Sequence, residues 1–97
     1  MRLPATERTQ FLARHPEWTI VDESITRTFA FSGFPEAVAF TTECSFAAEA
    51  ADHHPDIDIR WNKVTMTLST HSESALTAKD TELAAAFDSI ANRPARG

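Results

Sequence analysis

Apolar and polar residues alternate at every second position in two neighbouring runs of the chain. Ile57, Ile59 and Trp61 alternate with Asp58 and Arg60, and Val64, Met66 and Leu68 alternate with Thr65, Thr67 and Ser69. That period places one side of each run against a core and the other toward solvent, so two strands are expected. Asn62-Lys63 lies between them, and asparagine tolerates the left-handed backbone that a tight hairpin turn needs. Trp18 to Val21 and Ile25 to Phe31 read as an earlier strand pair around the turn Asp22-Glu23-Ser24. Between the pairs the spacing becomes helical: Ala37, Phe40, Cys44, Ala47 and Ala51 recur at intervals of three and four. An alanine-rich helix is therefore predicted from Glu36 to about Ala51, preceded by the breaker Gly33-Phe34-Pro35 and ended by His54-Pro55. A first helix is expected from Pro4 to Arg14, stopped by Pro16. A last one is expected to start at Thr77, with Thr77 as N-cap and Asp80 three residues on, to turn Leu83, Phe87 and Ile90 inward, and to end at Pro94.

The order helix, strand, strand, helix, strand, strand, helix predicts an α+β fold, with three helices packed on one face of a four-stranded antiparallel sheet. The 97 residues are enough for one domain, spanning 1–97. A chain this short buries only about 60–65% of its unfolded surface, so its core is thin and a partner subunit would help. Two sheet edges and two apolar residues off the helix stripe, Val38 and Phe46, add to the expectation of a homo-oligomer, dimer or tetramer.

Composition removes several classes of function. A net charge of −5 with no Lys/Arg cluster argues against a nucleic-acid partner. Two glycines, one of them terminal, exclude a glycine-rich phosphate loop. No apolar run is long enough for a membrane span, and the N-terminus lacks the layout of a signal peptide. The lone cysteine, Cys44, suits a reducing compartment, and the expected location is the cytoplasm.

One region is dense in chemistry. Glu49, Asp52, His53, His54, Pro55, Trp61, His71 and Asp80 fall within it, and three of the four histidines are there. Each has an ordinary structural explanation: loop histidines are common, Asp80 serves as a capping-box acid, and Glu49 lies opposite the apolar stripe of its helix. A metal centre is disfavoured, because adjacent histidines diverge and no HxxxH, HxH or CxxC spacing occurs.

Taken together the spacing is more specific. Glu49, three residues, His53-His54-Pro55, five residues, Trp61, nine residues, His71, eight residues, Asp80 resembles the signature of pterin-4a-carbinolamine dehydratases. "FAAEAADHHPDI", "WNKVTMTLSTH" and "ALTAKDTELA" each resemble segments of that family, and the likeness runs from about Phe29 to Ile90. One departure is Ala75, where the family usually has glycine. The resemblance implies a hydro-lyase that dehydrates a 4a-hydroxytetrahydropterin to the quinonoid dihydropterin in tetrahydropterin recycling, without a metal or organic cofactor. It implies His53, His54 and His71 as catalytic residues, with His53 and His54 near the departing hydroxyl and His71 as base or hydroxyl-binding partner. Glu49, one helical turn before His53, would fix that histidine's tautomer. Asp80 would orient His71 or the site, and Trp61 would offer a flat surface near the pterin or support the histidine loop. Asp52, Pro55 and Thr70 would contact substrate. The same fold family also includes dimerisation partners and assembly factors, and pterin handling in a molybdopterin-related pathway is a further alternative.

Overall fold

A computed structural model describes residues 1–93. Its elements are α1 (Ala5–Arg14), β1 (Thr19–Val21), β2 (Ser24–Ala30), α2 (Phe34–Ala51), β3 (Asp56–Arg60), β4 (Lys63–Leu68), a single 3₁₀ turn at His71–Glu73, and α3 (Ala78–Ala91). The expected stop at Pro94 lies outside the described residues. The four strands form one antiparallel sheet in the order β1-β2-β4-β3. The expected fold class and element order are observed.

Register explains which face is covered. Ile25, Arg27 and Phe29 of β2 stand opposite Leu68, Met66 and Val64 of β4, and Ile57 and Ile59 of β3 continue the same rows. Ile25, Phe29, Val64, Met66 and Leu68 are buried with Phe11 of α1, Phe40, Cys44 and Ala48 of α2, and Leu83 and Phe87 of α3. The opposite face carries threonines, paired across the strands as Thr26–Thr67 and Thr28–Thr65. All three helices thus contribute to one core on one side of the sheet.

Two local details differ from the sequence reading, and a third bears on the departure at Ala75. The β3–β4 turn is Trp61-Asn62, because Arg60 pairs with Lys63, and the left-handed residue is Trp61 (φ 50°). Asn62 is instead tied across the sheet, its amide donating to the Phe31 carbonyl at 2.8 Å and its own carbonyl accepting from the Phe31 N–H. The buried stripe of α2 continues through Ala48, not Ala51, since residues four apart stay in line over Phe40, Cys44 and Ala48. Ala75 takes no left-handed conformation; that falls to Ser74 (φ 50°), so an alanine is accommodated there without backbone strain.

A second polar cluster lies away from the site that the sequence reading marked out. Asp88, buried on α3, accepts from His15 Nδ1 (2.6 Å), Trp18 Nε1 (2.9 Å) and Arg27 (2.7 Å), while Arg27 lies over the Phe29 ring. It ties the α1–β1 connection and β2 to α3. Glu23 does the same for the N-terminus, accepting from Arg2, Arg8 and the Leu76 N–H. Among the described residues no helix is long and apolar enough to cross a membrane.

Candidate active site

Two helix ends meet at the site. α2 stops at Ala51, where Asp52 adopts the left-handed conformation (φ 49°) and the His53 N–H reaches back to the Ala48 carbonyl at 3.1 Å. This closure satisfies orphan carbonyls and turns the chain out of the helix, so His53 and His54 leave on a fixed path. α3 starts at Thr77, whose hydroxyl accepts from the Lys79 N–H while the Asp80 carboxylate accepts from the Thr77 N–H at 2.9 Å. The expected capping box is present.

Asp80 does more than cap. It is fully buried. Its Oδ2 accepts from the Thr77 N–H and from the Thr70 hydroxyl, both at 2.9 Å, and its Oδ1 meets His53 Nε2 at 2.5 Å. One carboxylate oxygen therefore serves the helix start and the other holds a histidine. With Nε2 engaged, His53 presents Nδ1 as its remaining ring nitrogen. The His53 side chain is 11% exposed, so the ring is sheltered but reachable.

The pairing in the structure differs from the one that the sequence predicts. Glu49 was placed against His53 by helical spacing, but α2 ends before His53, and Glu49 meets His54 Nε2 instead, at 2.9 Å. Both members of that pair are well exposed, and exposed ion pairs contribute little to stability. Asp80 was expected to orient His71 or the site; it contacts His53.

The three histidines share one cavity of about 360 Å³. Asp52, His53 and His54 line it from the α2 exit, Thr70 and His71 from the end of β4, and Lys79 from the first turn of α3. His71 opens the 3₁₀ turn and is exposed. Thr70 is buried, and its hydroxyl is committed to Thr77 and Asp80, so it braces the site. Pro55 is half-buried beyond the cavity lining, and Trp61 sits at the far end of the β3–β4 hairpin, 68% exposed and not part of that lining. Lys79 also lines the cavity, and its place beside Asp80 in the first turn of α3 is the sequence signal for it. Cys44 is excluded from the chemistry: it is buried in the core, and burial, with Glu43 adding to it, pushes its thiol up to about 12. Among the described residues no group of three or more His, Cys, Asp or Glu side chains is placed to hold a metal ion.

Fold and cavity together define an α+β domain with a cavity lined by three histidines, one of them held by a buried carboxylate, an arrangement suited to moving protons. The comparisons agree with that class and narrow it. The pterin 4 alpha carbinolamine dehydratase family matches residues 1–90. A protein from Chloroflexus aurantiacus provisionally named as such a dehydratase is 51% identical over 89 residues, 92% of this chain and 96% of its own. A Picosynechococcus protein of the same provisional name is 49% identical over 89 residues, 92% of this chain and 97% of its own. Among solved structures, a transcriptional coactivator/pterin dehydratase from Brucella melitensis superposes with a TM-score of 0.90 at 36% identity, covering 95% of this chain and all of its own. A pterin dehydratase-like protein described as a RuBisCO assembly factor in the alpha-carboxysome shares the fold at a TM-score of 0.65 and 20% identity, over 79% of this chain and 89% of its own. The chain belongs to the pterin 4 alpha carbinolamine dehydratase family.

Proposed function

We propose that the protein dehydrates a 4a-hydroxytetrahydropterin to the quinonoid dihydropterin, as a step of tetrahydropterin recycling in the cytoplasm. The observation that carries this is the convergence of His53, His54 and His71 on one cavity, with His53 held by the buried Asp80. In the reaction the C4a–O bond breaks and the hydroxyl leaves as water after taking up a proton. The N5–H bond breaks in turn, and its electron pair forms the new N5=C4a double bond. One proton is given and one taken, so the protein is left in its starting protonation state overall.

Histidine suits both transfers, since its ordinary pKa of about 6.5 lets it give or accept a proton near neutral pH. In this reading His53 and His54 serve the hydroxyl and His71 acts as base or hydroxyl-binding partner. Asp80 keeps the His53 ring in one orientation and one tautomer. Asp52 and the backbone around Thr70 shape the walls that receive the ring. No step requires a Lewis acid or an electron carrier.

The direct test is a dehydration assay with freshly generated 4a-hydroxytetrahydropterin. His53→Ala and His71→Ala are each expected to lower the rate by at least ~10²-fold, the scale of one positioned acid–base group. Near-wild-type turnover in both variants, with folding intact, would overturn the mechanism. A partner role in assembly is the second reading, favoured by Phe46, which stands 72% exposed on α2. The two readings are compatible, because Phe46 lies outside the histidine cavity.

A further inference from the structure

His53 and His54 each meet a carboxylate, Asp80 and Glu49. His71 does not: it is exposed, and among the described residues its ring makes no hydrogen bond. Its place at the cavity is therefore set by its backbone. Ser69, Thr70, His71 and Ser72 line that cavity in one run. The run enters a loop whose base is closed by two bonds, from the Thr70 N–H to the Ala75 carbonyl at 3.0 Å and from the Ala75 N–H to the Thr70 carbonyl at 3.3 Å. Thr70, Ala75 and Leu76 at the base are buried, while the tip from His71 to Ser74 is exposed. The tip can be no better placed than the base that carries it.

That base is held by one residue on both sides. The β1–β2 turn is Asp22-Glu23, and Ile25 of β2 pairs with Leu68 of β4, so the register brings Glu23 to the end of β4 where the loop begins. The Glu23 backbone carbonyl accepts from the Ser69 hydroxyl at 2.7 Å on the outgoing stem. Its carboxylate accepts from the Leu76 N–H at 3.1 Å on the returning stem. Arg2 and Arg8 fix that carboxylate with four bonds of 2.8–3.2 Å. Arg8 Nε also donates to the Leu3 carbonyl at 2.8 Å, and the Leu3 N–H donates to the Leu76 carbonyl at 2.8 Å, which closes the ring of contacts on the loop. Exposed ion pairs add little stability, but paired guanidinium–carboxylate bonds fix geometry. We propose that Glu23 is a positioning residue for the dehydration: it fixes the base of the His71 loop, and through it the place of the His71 ring at the cavity. Glu23 itself lies outside the cavity lining. Its effect on rate rests on the pterin reading above, whereas the placement of His71 can be read without turnover.

The test is a double-mutant cycle in the full chain, with kcat taken per folded molecule and folding checked by a circular dichroism melt. Glu23→Ala is expected to lower kcat about 10-fold and to change KM little. That is less than the loss expected for His71→Ala, because misplacing a group costs no more than removing it. In the His71→Ala background, Glu23→Ala is expected to have no further effect on kcat. Glu23→Gln keeps an oxygen for the Leu76 N–H but sets an amide against the guanidinium groups; a smaller loss of the same kind is expected, and it replaces Glu23→Ala if that variant does not fold. In NMR spectra the His71 ring signals are expected to shift in both variants while those of His54 stay in place. Unchanged kcat overturns the proposal. So does an equal loss with and without His71, the mark of a general structural role, and so do unmoved His71 ring signals. If the wild type does not dehydrate the pterin, the functional reading falls, and the ring signals alone decide whether Glu23 places His71.

Discussion

Replacing Asp80 by asparagine separates the capping role from the site role, because the two use different oxygens. Oδ2 accepts from the Thr77 N–H and the Thr70 hydroxyl, and an asparagine carbonyl placed there keeps both bonds. The amide nitrogen then faces His53 Nε2 and is a donor, so His53 must accept at Nε2 and carry its proton on Nδ1. The helix start survives as a neutral box while the histidine loses its carboxylate and its tautomer is reversed. Hydrogen bonds to a charged group contribute about 1.5–3 kcal/mol and neutral ones about 0.5–1.5, so with three bonds to the carboxylate made neutral the folding loss is about 3–4 kcal/mol. For a domain of this size 1 kcal/mol shifts the melting temperature by about 4–8 °C. Activity should fall further, by at least ~10²-fold, because a positioned acid–base group is disabled. A hundredfold is about 2.7 kcal/mol of transition-state stabilisation, and it is read per folded molecule, separately from the folding term. The assay is kcat per folded molecule beside a thermal melt of the same preparation. A large drop in melting temperature with unchanged kcat would show that Asp80 is a cap and nothing else.

Other outcomes follow from separate parts of the molecule. Activity is expected to survive exhaustive chelation; loss restored by added zinc would show that the histidine cluster had been misread. Hydrogen bonds from Arg2, then Arg8, then the Leu76 N–H hold the Glu23 carboxyl well below its ordinary value of 4.5. A depressed carboxyl adds stability above that ordinary value and loses it as pH falls toward the lower folded value, so acid unfolding should begin below about pH 4.5. Glu23→Gln should flatten the stability profile over that acid range, and an unchanged profile in acid melts would refute the assignment. A homo-oligomer, at least a dimer, is expected by light scattering at micromolar concentration, and Phe46→Glu should reduce its size; a wild-type mass of one chain would overturn this.

The sheet was legible because alternation is a local property, although the β3 row expected to face the core is largely open, with Ile57 and Trp61 exposed and Ile59 half-buried. Val64, Met66 and Leu68 announce an inward row, and all three are fully buried. The capping box was legible for the same reason, since Thr77 and Asp80 are three residues apart. Contacts across the fold were not. Asp88 gathers His15, Trp18 and Arg27 from up to 73 positions away, and no local pattern states that an arginine on an inward row has a buried carboxylate waiting for it. The site shows the same division. Sequence spacing marked out the histidines and acids, yet it paired them by helical periodicity. Glu49 and His53 would be neighbours on a continuous helix, but Asp52 breaks that helix, and one left-handed residue is enough to exchange the partners. Trp61 lies apart from the cavity lining, and spacing along a strand does not state which end of the hairpin faces the cavity.

The exchange of partners has a consequence for what each carboxylate can do. An exposed glutamate such as Glu49 meets His54 in water, where screening weakens any hold on the ring. Asp80 is buried and already anchored by two donors before His53 arrives, so its free oxygen is fixed in place by the start of α3. The orientation of His53 is therefore set by the same bonds that begin a helix, and by the left-handed turn that ends another. Loosening either helix end would move the ring before it unfolded the domain. Substitutions at Asp52 or Thr77 should consequently reach the chemistry through His53, although only Asp52 lines the cavity.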